Sequence, residues 1–475
     1  MSTPLPWLPA PQSAPLAAPL APLLPTERLA GGGSGRGLSR RRALAPLAAL
    51  ALLPAHAACA GGRPESAPAA AQGPATIQFW PTWQGQFQVD GMTRMLRAFE
   101  AEAPSLTVEM TPYGGDLTKI VTAVSAGTPP DVHSLPGGQI GPFGRRKLIQ
   151  PLDPFLARGP LKERFFPAQW EVGSWSGKVH GVPAWDHHPS PYLFWNQAHF
   201  EEAGLNAGAP PATLDEARRY AERLNRLAPD GQIARLGLDP LVEAAAGLLG
   251  YWSDAYGVTW YDARTQKLNL VQPGLVAAAE YIAGLYKLAG PANIAEYRKK
   301  YPAWNGPNAA MPQGVESMKV SSGVSTGTLA NNAPAVRVGV GWAPTEKGRK
   351  LIAVGSGHFN CLSQGAPEAG AAWRFVEWLT TPPANQLMLD SVGWIAYNKD
   401  LSKALDLSKV PNLRFVLDAP ARAEQVRAPV VLPITFGALD EGIRKVINGQ
   451  QGTREMLAEA QRTLQGELDE ALRAG

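Results

Sequence analysis

The chain has 475 residues, of which 45% are hydrophobic and 18% charged, a composition typical of globular proteins that excludes a fibrous or wholly disordered chain. Two cysteines are too few for a disulfide framework or a four-thiolate metal site. The formal charge of +4 lies entirely in residues 1–58, which contain five arginines and one glutamate, so that 39 basic and 39 acidic residues remain in 59–475. A neutral body gives no electrostatic reason to expect nucleic acid as a partner.

Residues 1–58 are predicted to be an export signal rather than part of the fold. Three consecutive arginines lie within Ser39–Leu44, and the apolar run Ala43–Ala55 follows. A helix of that length spans about 20 Å, which is too short to cross a membrane stably but suits a signal peptide. Ala55–Ala57 offers a small-x-small cleavage site. The arginines fit either a twin-arginine or a general secretory signal, and translation starts either at Met1 or nearer the arginines.

Residues 59–75 are predicted to be a flexible linker rich in Gly, Pro, Ala and Ser. Cys59 follows two alanines and resembles the acylated cysteine of a bacterial lipobox, although His56 replaces the usual aliphatic residue. The interpretation as a lipid-anchored protein predicts lipidation of Cys59. The alternative is an ordinary signal peptide cleaved after Ala57, which would leave Cys59 as a free thiol.

The body of the chain alternates between short apolar runs and amphipathic helices. The pattern predicts strands over 76–80, 106–110 and 131–134, with helices over 91–102 and 117–125 between them. This alternation implies right-handed crossovers and a mainly parallel sheet, so the fold class is α/β. The C-terminal segment is predicted to be helical, because apolar residues recur every three or four positions at Leu457, Ala460, Leu464, Leu468 and Leu472.

Seven segments, in order, carry recognisable motifs and together cover nearly all of residues 76–475. They are Ser125–Val132, Leu148–Leu156, Gly177–Leu205, Pro211–Ala217, Met311–Met318, Ala369–Thr381 and Gly393–Asn398. This series resembles the bacterial extracellular solute-binding proteins of family 1, the sugar-type receptors of ABC importers, although Leu214 stands where that family has a tryptophan.

The resemblance implies a periplasmic-binding-protein fold, with two α/β lobes built from discontinuous segments and joined by hinge crossovers. Transferred to this chain, lobe one takes 76–185 and 342–393, and lobe two takes 186–341 and 394–475. It also implies a monomer, periplasmic or lipid-anchored outside the inner membrane of a bacterium, that passes a small solute to an ABC permease. A carbohydrate is the expected solute.

Other chemistries have little support in the sequence. His187 and His188 are adjacent and would point to opposite faces of a strand, so no metal site is predicted, and no cofactor motif is present. Gly323–Gly327 matches the G-x-S-x-G of a hydrolase elbow, but its surroundings, 319–332, are predicted to be a loop rather than a strand and helix.

Tryptophans provide the strongest binding signal, because many of them follow strands or lie in loops and predicted crossings. An indole face can pack on the C–H face of a sugar while nearby polar groups bond its hydroxyls. The predicted ligand-binding residues are Trp80, Trp83, Gln84, Gln139, Trp185, Asp186, His187, Trp252, Trp304, Asn305, Glu316, Trp342 and Trp394.

Two other functions remain open at this point. A secreted glycoside-processing enzyme would use the same aromatic loops with a carboxylate pair drawn from Asp186, Asp254 and Glu316. A binding protein that has lost transport could instead serve as the extracytoplasmic partner of a sensor. The leading interpretation is a binding protein rather than an enzyme.

Overall fold

The computed structural model describes residues 73–241, 249–301, 306–427 and 432–473. The first part of the chain, up to the first predicted crossing, is the first segment predicted for lobe one. Its elements are β1 (Ala75–Trp80), α1 (Gln86–Glu102), β2 (Leu106–Met110), α2 (Leu117–Ser125), β3 (Val132–Pro136), a 3₁₀ turn (Gly137–Gln139), α3 (Ile140–Arg145), α4 (Asp153–Leu156), α5 (Leu161–Arg164), α6 (Pro167–Val172), β4 (Ser174–Trp175), β5 (Lys178–Val179) and β6 (Val182–Pro183).

The second part of the chain is the first segment predicted for lobe two. It begins with the crossing strand β7 (His188–Ser190) and continues with β8 (Tyr192–Asn196), α7 (Gln197–Glu202), α8 (Leu214–Leu224), β9 (Arg226–Leu227), β10 (Ile233–Arg235), α9 (Gly250–Ala255), β11 (Tyr261–Asp262), β12 (Lys267–Leu268), α10 (Pro273–Ala289), α11 (Pro291–Lys300), β13 (Met318–Ser321), α12 (Val324–Asn332) and β14 (Val338–Trp342).

The rest of the chain holds the second segment predicted for lobe one and then the last segment predicted for lobe two. The remaining elements are β15 (Leu351–Ser356), β16 (His358–Leu362), α13 (Ala369–Trp378), α14 (Pro382–Val392), α15 (Leu401–Ala404), α16 (Leu413–Arg422), β17 (Gln425–Arg427), α17 (Gly437–Ile447) and α18 (Thr453–Arg473). In the described ranges, no helix is long and apolar enough to span a membrane.

Lobe one is built on a five-stranded sheet in the order β2–β1–β3–β16–β6. The three strands predicted from the sequence are present, and β1 pairs in parallel with both β2 and β3. The returning strand β16 and the short β6 are antiparallel additions, with β16 paired to both β3 and β6. The α/β class is therefore confirmed, and the carboxyl ends of β1, β2 and β3 meet at one edge of the sheet.

Asp131, just before β3, ties the sheet to a helix that comes much later in the chain. One carboxylate oxygen accepts a hydrogen bond from Gln78 N at 2.9 Å, and the other accepts one from Glu368 N at 2.7 Å, beside the start of α13. This explains the Pro-Pro-Asp sequence: the prolines end the preceding segment, and the carboxylate then bonds backbone amides that would otherwise be unpaired.

Lobe two is centred on the antiparallel sheet β13–β8–β14, and every residue of its central strand β8 is buried. Helices α10, α17 and α18 form the core of this lobe. Of the five positions predicted for the inner face of the C-terminal helix, Leu457, Ala460, Leu464 and Leu468 are buried, while Leu472 packs against the core partly exposed.

A third sheet, in the order β17–β15–β7, lies where the chain passes between the lobes. Two crossings, β7 and β15, pair antiparallel with an irregular register between Ala353 and Ser356. Trp342, where the sequence predicts the return to lobe one, is the last residue of β14 and pairs with Tyr192 in lobe two. The chain rejoins the first sheet at His358, and the exact lobe boundaries stay a prediction.

The predicted loop over 319–332 is wrong, because these residues form the end of β13 and the helix α12. The segment is rich in Ser, Gly and Thr, yet Val324 to Leu329 are all buried. A Cβ on Gly327 would overlap the backbone of Gly393, which follows α14 at φ +86°. Close backbone contact between α12 and the last crossing thus requires small residues here. The same small residues give the segment the composition of a loop, which is why the sequence does not reveal the helix.

Substituting Gly393 by alanine tests this contact. We expect Gly393→Ala to lower the free energy of unfolding by about 3 kcal/mol or more, since it combines left-handed backbone strain with overlap against Gly327. The matched control is Gly365→Ala, at φ +76° with open space around its Cβ, which should cost only about 1–2 kcal/mol. Urea unfolding measures both, and equal losses would contradict the close-contact account.

Candidate functional site

Three aromatic rings from distant parts of the chain meet around a fourth, that of Trp83 in the loop after β1. The Trp83 ring centroid lies 5.7 Å from that of Trp185, 5.5 Å from that of Trp394 and 5.3 Å from that of His358. We call these four residues the Trp83 cluster. Trp185 lies on the first crossing, His358 begins β16 after the second, and Trp394 lies on the third. Trp83 therefore contacts residues on the first and third crossings and the start of the strand that follows the second.

The position of Trp83 follows from the parallel sheet. The loop that carries it leaves the carboxyl end of β1, the edge at which open α/β sheets bind ligands. Tyr113, in the loop after β2, donates its hydroxyl to Ser134 O at 2.6 Å, and Tyr113 N donates to Pro81 O at 2.9 Å. These bonds hold the loops after β1 and β2 against the end of β3.

Asp186 and His358 form a close pair beside Trp83. One carboxylate oxygen accepts from His358 N at 2.9 Å, and the other lies 2.6 Å from His358 Nδ1. Burial by itself would raise the pKa of Asp186, but the attraction and hydrogen bonds of His358 outweigh burial and hold that pKa below its usual value. The carboxylate is therefore ionised and fully engaged by one residue.

His187 and His188 are both fully buried at the first crossing. His187 Nδ1 lies 3.2 Å from Gln169 Nε2, and its ring packs on Phe359, whereas His188 Nε2 accepts weakly from Ile395 N at 3.4 Å. Burial lowers the pKa of His187 to about 3 and that of His188 to about 4. Both imidazoles are consequently neutral near pH 7.

Three buried nitrogens at this crossing lack a hydrogen-bond partner within the protein: Trp185 Nε1, His187 Nε2 and His188 Nδ1. An unpaired buried donor costs about 1–3 kcal/mol, so three of them within the four residues 185–188 is unusual. Such concentrations of unsatisfied polar groups are more typical of functional sites than of ordinary cores.

The other predicted residues of lobe one lie near the same sheet edge. Trp80 is half-buried at the end of β1, and Gln84 is exposed, with its side chain over the backbone of Gly114. Gln139 is half-buried at the end of the 3₁₀ turn that follows β3. The loops after β1 and β3 thus carry these three side chains, although no ring contact links Trp80 with the Trp83 cluster among the described residues.

The structure places the lobe-two candidates elsewhere. Trp252 is fully buried, donates its Nε1 proton to Pro240 O at 3.1 Å and packs between aromatic neighbours such as Tyr281. Trp342 is half-buried against Phe415. These two indoles have packing partners of their own and do not contact the Trp83 cluster.

Glu316 lies in a buried group of charges in lobe two. Burial raises its pKa, while the positive charges of Lys319 and Arg298 oppose that rise. Arg298 also forms an ion pair with the buried Asp239. Two acids and two bases thus lie together in this group, away from the Trp83 cluster.

Three predicted positions, Trp304, Asn305 and Cys59, lie outside the described residues. Within the described ranges, no group of three or more His, Cys, Asp or Glu side chains could hold a metal ion. His358, by contrast, is a member of the Trp83 cluster that sequence reasoning missed. Its only sequence signal is its place directly after Gly357, at the start of a strand.

The G-x-S-x-G segment has the strand and helix that its sequence did not suggest, but not the elbow geometry. Gly323 is the N-cap of α12, and Ser325 lies inside the helix rather than at the turn after β13. Its buried Oγ is 2.7 Å from Ser321 Oγ. A nucleophile elbow needs its serine exposed on the sharp turn itself, so this segment does not have the arrangement of a hydrolase nucleophile.

Comparison with known families gives a match over most of the body of the chain. The model of the family described as bacterial extracellular solute-binding proteins matches residues 82–386, more than half of the chain. A protein named as a binding protein in Brucella abortus is 23% identical over 309 residues, which are 65% of this chain and 72% of that protein. A maltotriose-binding protein of Pyrococcus abyssi is 24% identical over 61% of this chain and 59% of its own length.

Solved structures agree with the family match. A structure named CpMnBP1 with mannobiose bound aligns at a TM-score of 0.72 and 20% identity, covering 82% of this chain and 98% of that one. An ABC transporter solute-binding protein of Thermotoga lettingae bound with α-D-tagatose aligns at 0.67 and 20%, covering 83% and 99%. These alignments confirm the predicted two-lobed fold.

The buried imidazoles make a pH-dependent prediction. Because the folded pKa of His188 lies below its unfolded value of 6.5, the unfolded chain binds more protons at pH 4–6.5, and stability falls as the pH drops through that window. The free energy of unfolding should therefore fall between pH 7 and pH 4.5, and we expect His188→Gln to make that fall smaller by about 2–3 kcal/mol. Glutamine keeps an acceptor for Ile395 N but does not titrate.

Urea unfolding of both proteins at pH 8, 7, 6, 5 and 4.5 measures the difference. The gap at pH 8 gives the pH-independent cost of the substitution, because His188 is neutral in both states there. Two parallel curves from pH 8 to 4.5 would contradict a buried, neutral His188.

Proposed function

The chain belongs to the family of bacterial extracellular solute-binding proteins, and from this we propose that it captures a small carbohydrate between its two lobes for an ABC importer. The observation that carries the proposal is the Trp83 cluster. Trp83, at the ligand-binding edge of lobe one, contacts the first and third crossings and the start of the strand after the second, so a solute bound there would lie beside the segments that join the two lobes.

The chemistry of the cluster suits a neutral sugar. Indole faces pack against the C–H faces of sugar rings, and polar groups beside them bond the hydroxyls. The body of the chain has no net charge, which gives no field to attract a polyanion. Relatives and neighbours named for maltotriose, mannobiose and tagatose support the same class of solute.

The family consists of binding proteins rather than enzymes, and a binding function needs no catalytic group. A dissociation constant near ~1 μM corresponds to about −8 kcal/mol, which a few stacked rings and several hydrogen bonds can supply. Closure of the lobes over the solute would create the surface that a membrane permease recognises. We propose that the protein acts as a monomer in this cycle.

The proposal includes export of the protein across the inner membrane. The arginines and apolar run of residues 1–58 would direct the chain across the inner membrane, and residues 59–75 would then tether the folded body. Acylation of Cys59 would hold the protein at the outer face of that membrane, while cleavage after Ala57 would release it into the periplasm.

Titration calorimetry with mannobiose, maltotriose, tagatose and ribitol tests the function. We expect at least one of them to bind with a dissociation constant in the micromolar range or below. Trp83→Ala should weaken that binding at least tenfold, because it removes an indole from the centre of the cluster. No heat of binding with any of the four probes would contradict the proposed carbohydrate function.

Trp175→Ala is the matched control for Trp83→Ala. Trp175 is another tryptophan of lobe one, but it is half-buried on the β4–β5 hairpin and packs over Gly144. It should change affinity less than twofold. Thermal unfolding of both variants separates loss of binding from loss of fold. If the two substitutions weakened solute binding equally, the binding site would not lie at Trp83.

A further inference from the structure

We propose that His358 contacts the bound solute through Nε2 and that Asp186 is a positioning residue that fixes the orientation and tautomer of this imidazole. The inference rests on the proposed carbohydrate function and makes it more specific. The inference names one hydrogen-bonding group of the site, His358 Nε2, and the chemical group of the solute that would bind it, a neutral hydroxyl.

Both oxygens of Asp186 are already used. Oδ1 accepts from His358 N at 2.9 Å and Oδ2 lies 2.6 Å from His358 Nδ1, so the carboxylate holds both the backbone and the ring of the same residue. A two-point attachment of this kind fixes the ring plane as well as its distance. Asp186 consequently acts on a solute through His358 rather than by direct contact.

The backbone is shaped to allow this attachment. Gly357 has φ +115°, a backbone conformation that residues other than glycine rarely adopt. A Cβ at this position would stand 2.5 Å from Asp186 O and 2.7 Å from His187 Cα. Only glycine lets the second crossing approach the first closely enough for Asp186 to reach His358. Ala184 N also donates to His358 O at 3.0 Å and adds a further bond between the two crossings.

His358 is the most accessible member of the Trp83 cluster. Its side chain is 21% exposed, whereas Trp83 is 7%, Trp394 1% and Trp185 0% exposed. The ring is held edge to face against Trp83, with an interplanar angle of 69°. A solute that packs on Trp83 from outside the cluster would therefore meet the imidazole as well.

The carboxylate determines what the imidazole can offer. An ionised carboxylate only accepts hydrogen bonds, so Nδ1 must carry the proton that lies between them. In the neutral ring the proton is then absent from Nε2, which presents a lone pair. That lone pair accepts from a hydroxyl donor, and sugars and polyols carry such donors all around the ring or chain.

Nitrogen-15 NMR of the imidazole at pH 8 tests the orientation without any solute. We expect the unaltered protein to show the Nδ1–H tautomer at His358. In Asp186→Asn, the amide oxygen keeps the bond from His358 N and the NH₂ group faces Nδ1, so the proton should move to Nε2. The Nε2–H tautomer in the unaltered protein would overturn the proposed role of Asp186.

Calorimetry with mannobiose, maltotriose, tagatose and ribitol tests the contact itself. For each probe that binds, we expect His358→Phe, which keeps a ring against Trp83 but removes both nitrogens, to weaken binding at least tenfold. Asp186→Asn should also weaken binding and invert the tautomer. His180→Phe, on the β5 side of the hairpin and away from the cluster, is the control and should leave affinity within twofold.

Thermal unfolding of each variant shows whether the fold is retained. If the unaltered protein binds a probe and the folded His358→Phe variant binds it with the same affinity, the inference is overturned and the proposed function still stands. Failure of the unaltered protein to bind any of the four probes would contradict the carbohydrate function, and the His358 contact would be withdrawn with it.

Discussion

The packing of Trp83 against Trp185, His358 and Trp394, each at or beside one crossing, is the constraint on which the proposed site depends. Two lobes joined by three chain segments can close only if those segments bend together. Here the first and second crossings are joined by the Asp186–His358 pair, and the third is fixed to lobe two by the bond from Trp394 Nε1 to Thr328 Oγ1 at 3.0 Å. Trp83 lies at the centre of these contacts, so any change in its surroundings reaches all three segments.

The crossings are also close in their backbones. Gly327 in α12 and Gly393 after α14 leave no room for a Cβ between them, and Gly357 leaves none beside Asp186. Such contacts give stiffness because there is no side chain to rearrange. The flexible part of the hinge must therefore lie elsewhere along the crossings, and the irregular register of β7 and β15 between Ala353 and Ser356 is a suitable place.

The local parts of the fold could be predicted from the sequence, because each depends on a short pattern. Strands β1 and β2 and helix α2 have the expected positions, since alternating or helical periodicity within a few residues specifies them. Helix α12 was missed for a physical reason: its Ser, Gly and Thr residues have low helix propensity, and the helix is stabilised instead by burial against the last crossing. That contact joins residues more than sixty positions apart.

The site could be predicted only in part for the same reason. Trp83, Trp185 and Trp394 stood out as tryptophans beside strands and crossings, but Trp252 has the same sequence signal and lies in the core of lobe two. His358 has no local signal, because its role comes from Asp186, which is 172 positions away. Sequence patterns find residue types that suit a sugar, whereas only the fold determines which of them meet.

A crystal structure of the protein with its bound solute is the most direct test of a carbohydrate site at the Trp83 cluster. The account predicts density for a sugar or polyol against the Trp83 indole, with one of its hydroxyls within hydrogen-bond distance of His358 Nε2. Density for the solute at another place, such as beside Trp252 in lobe two, with Trp83 and His358 untouched, would contradict it.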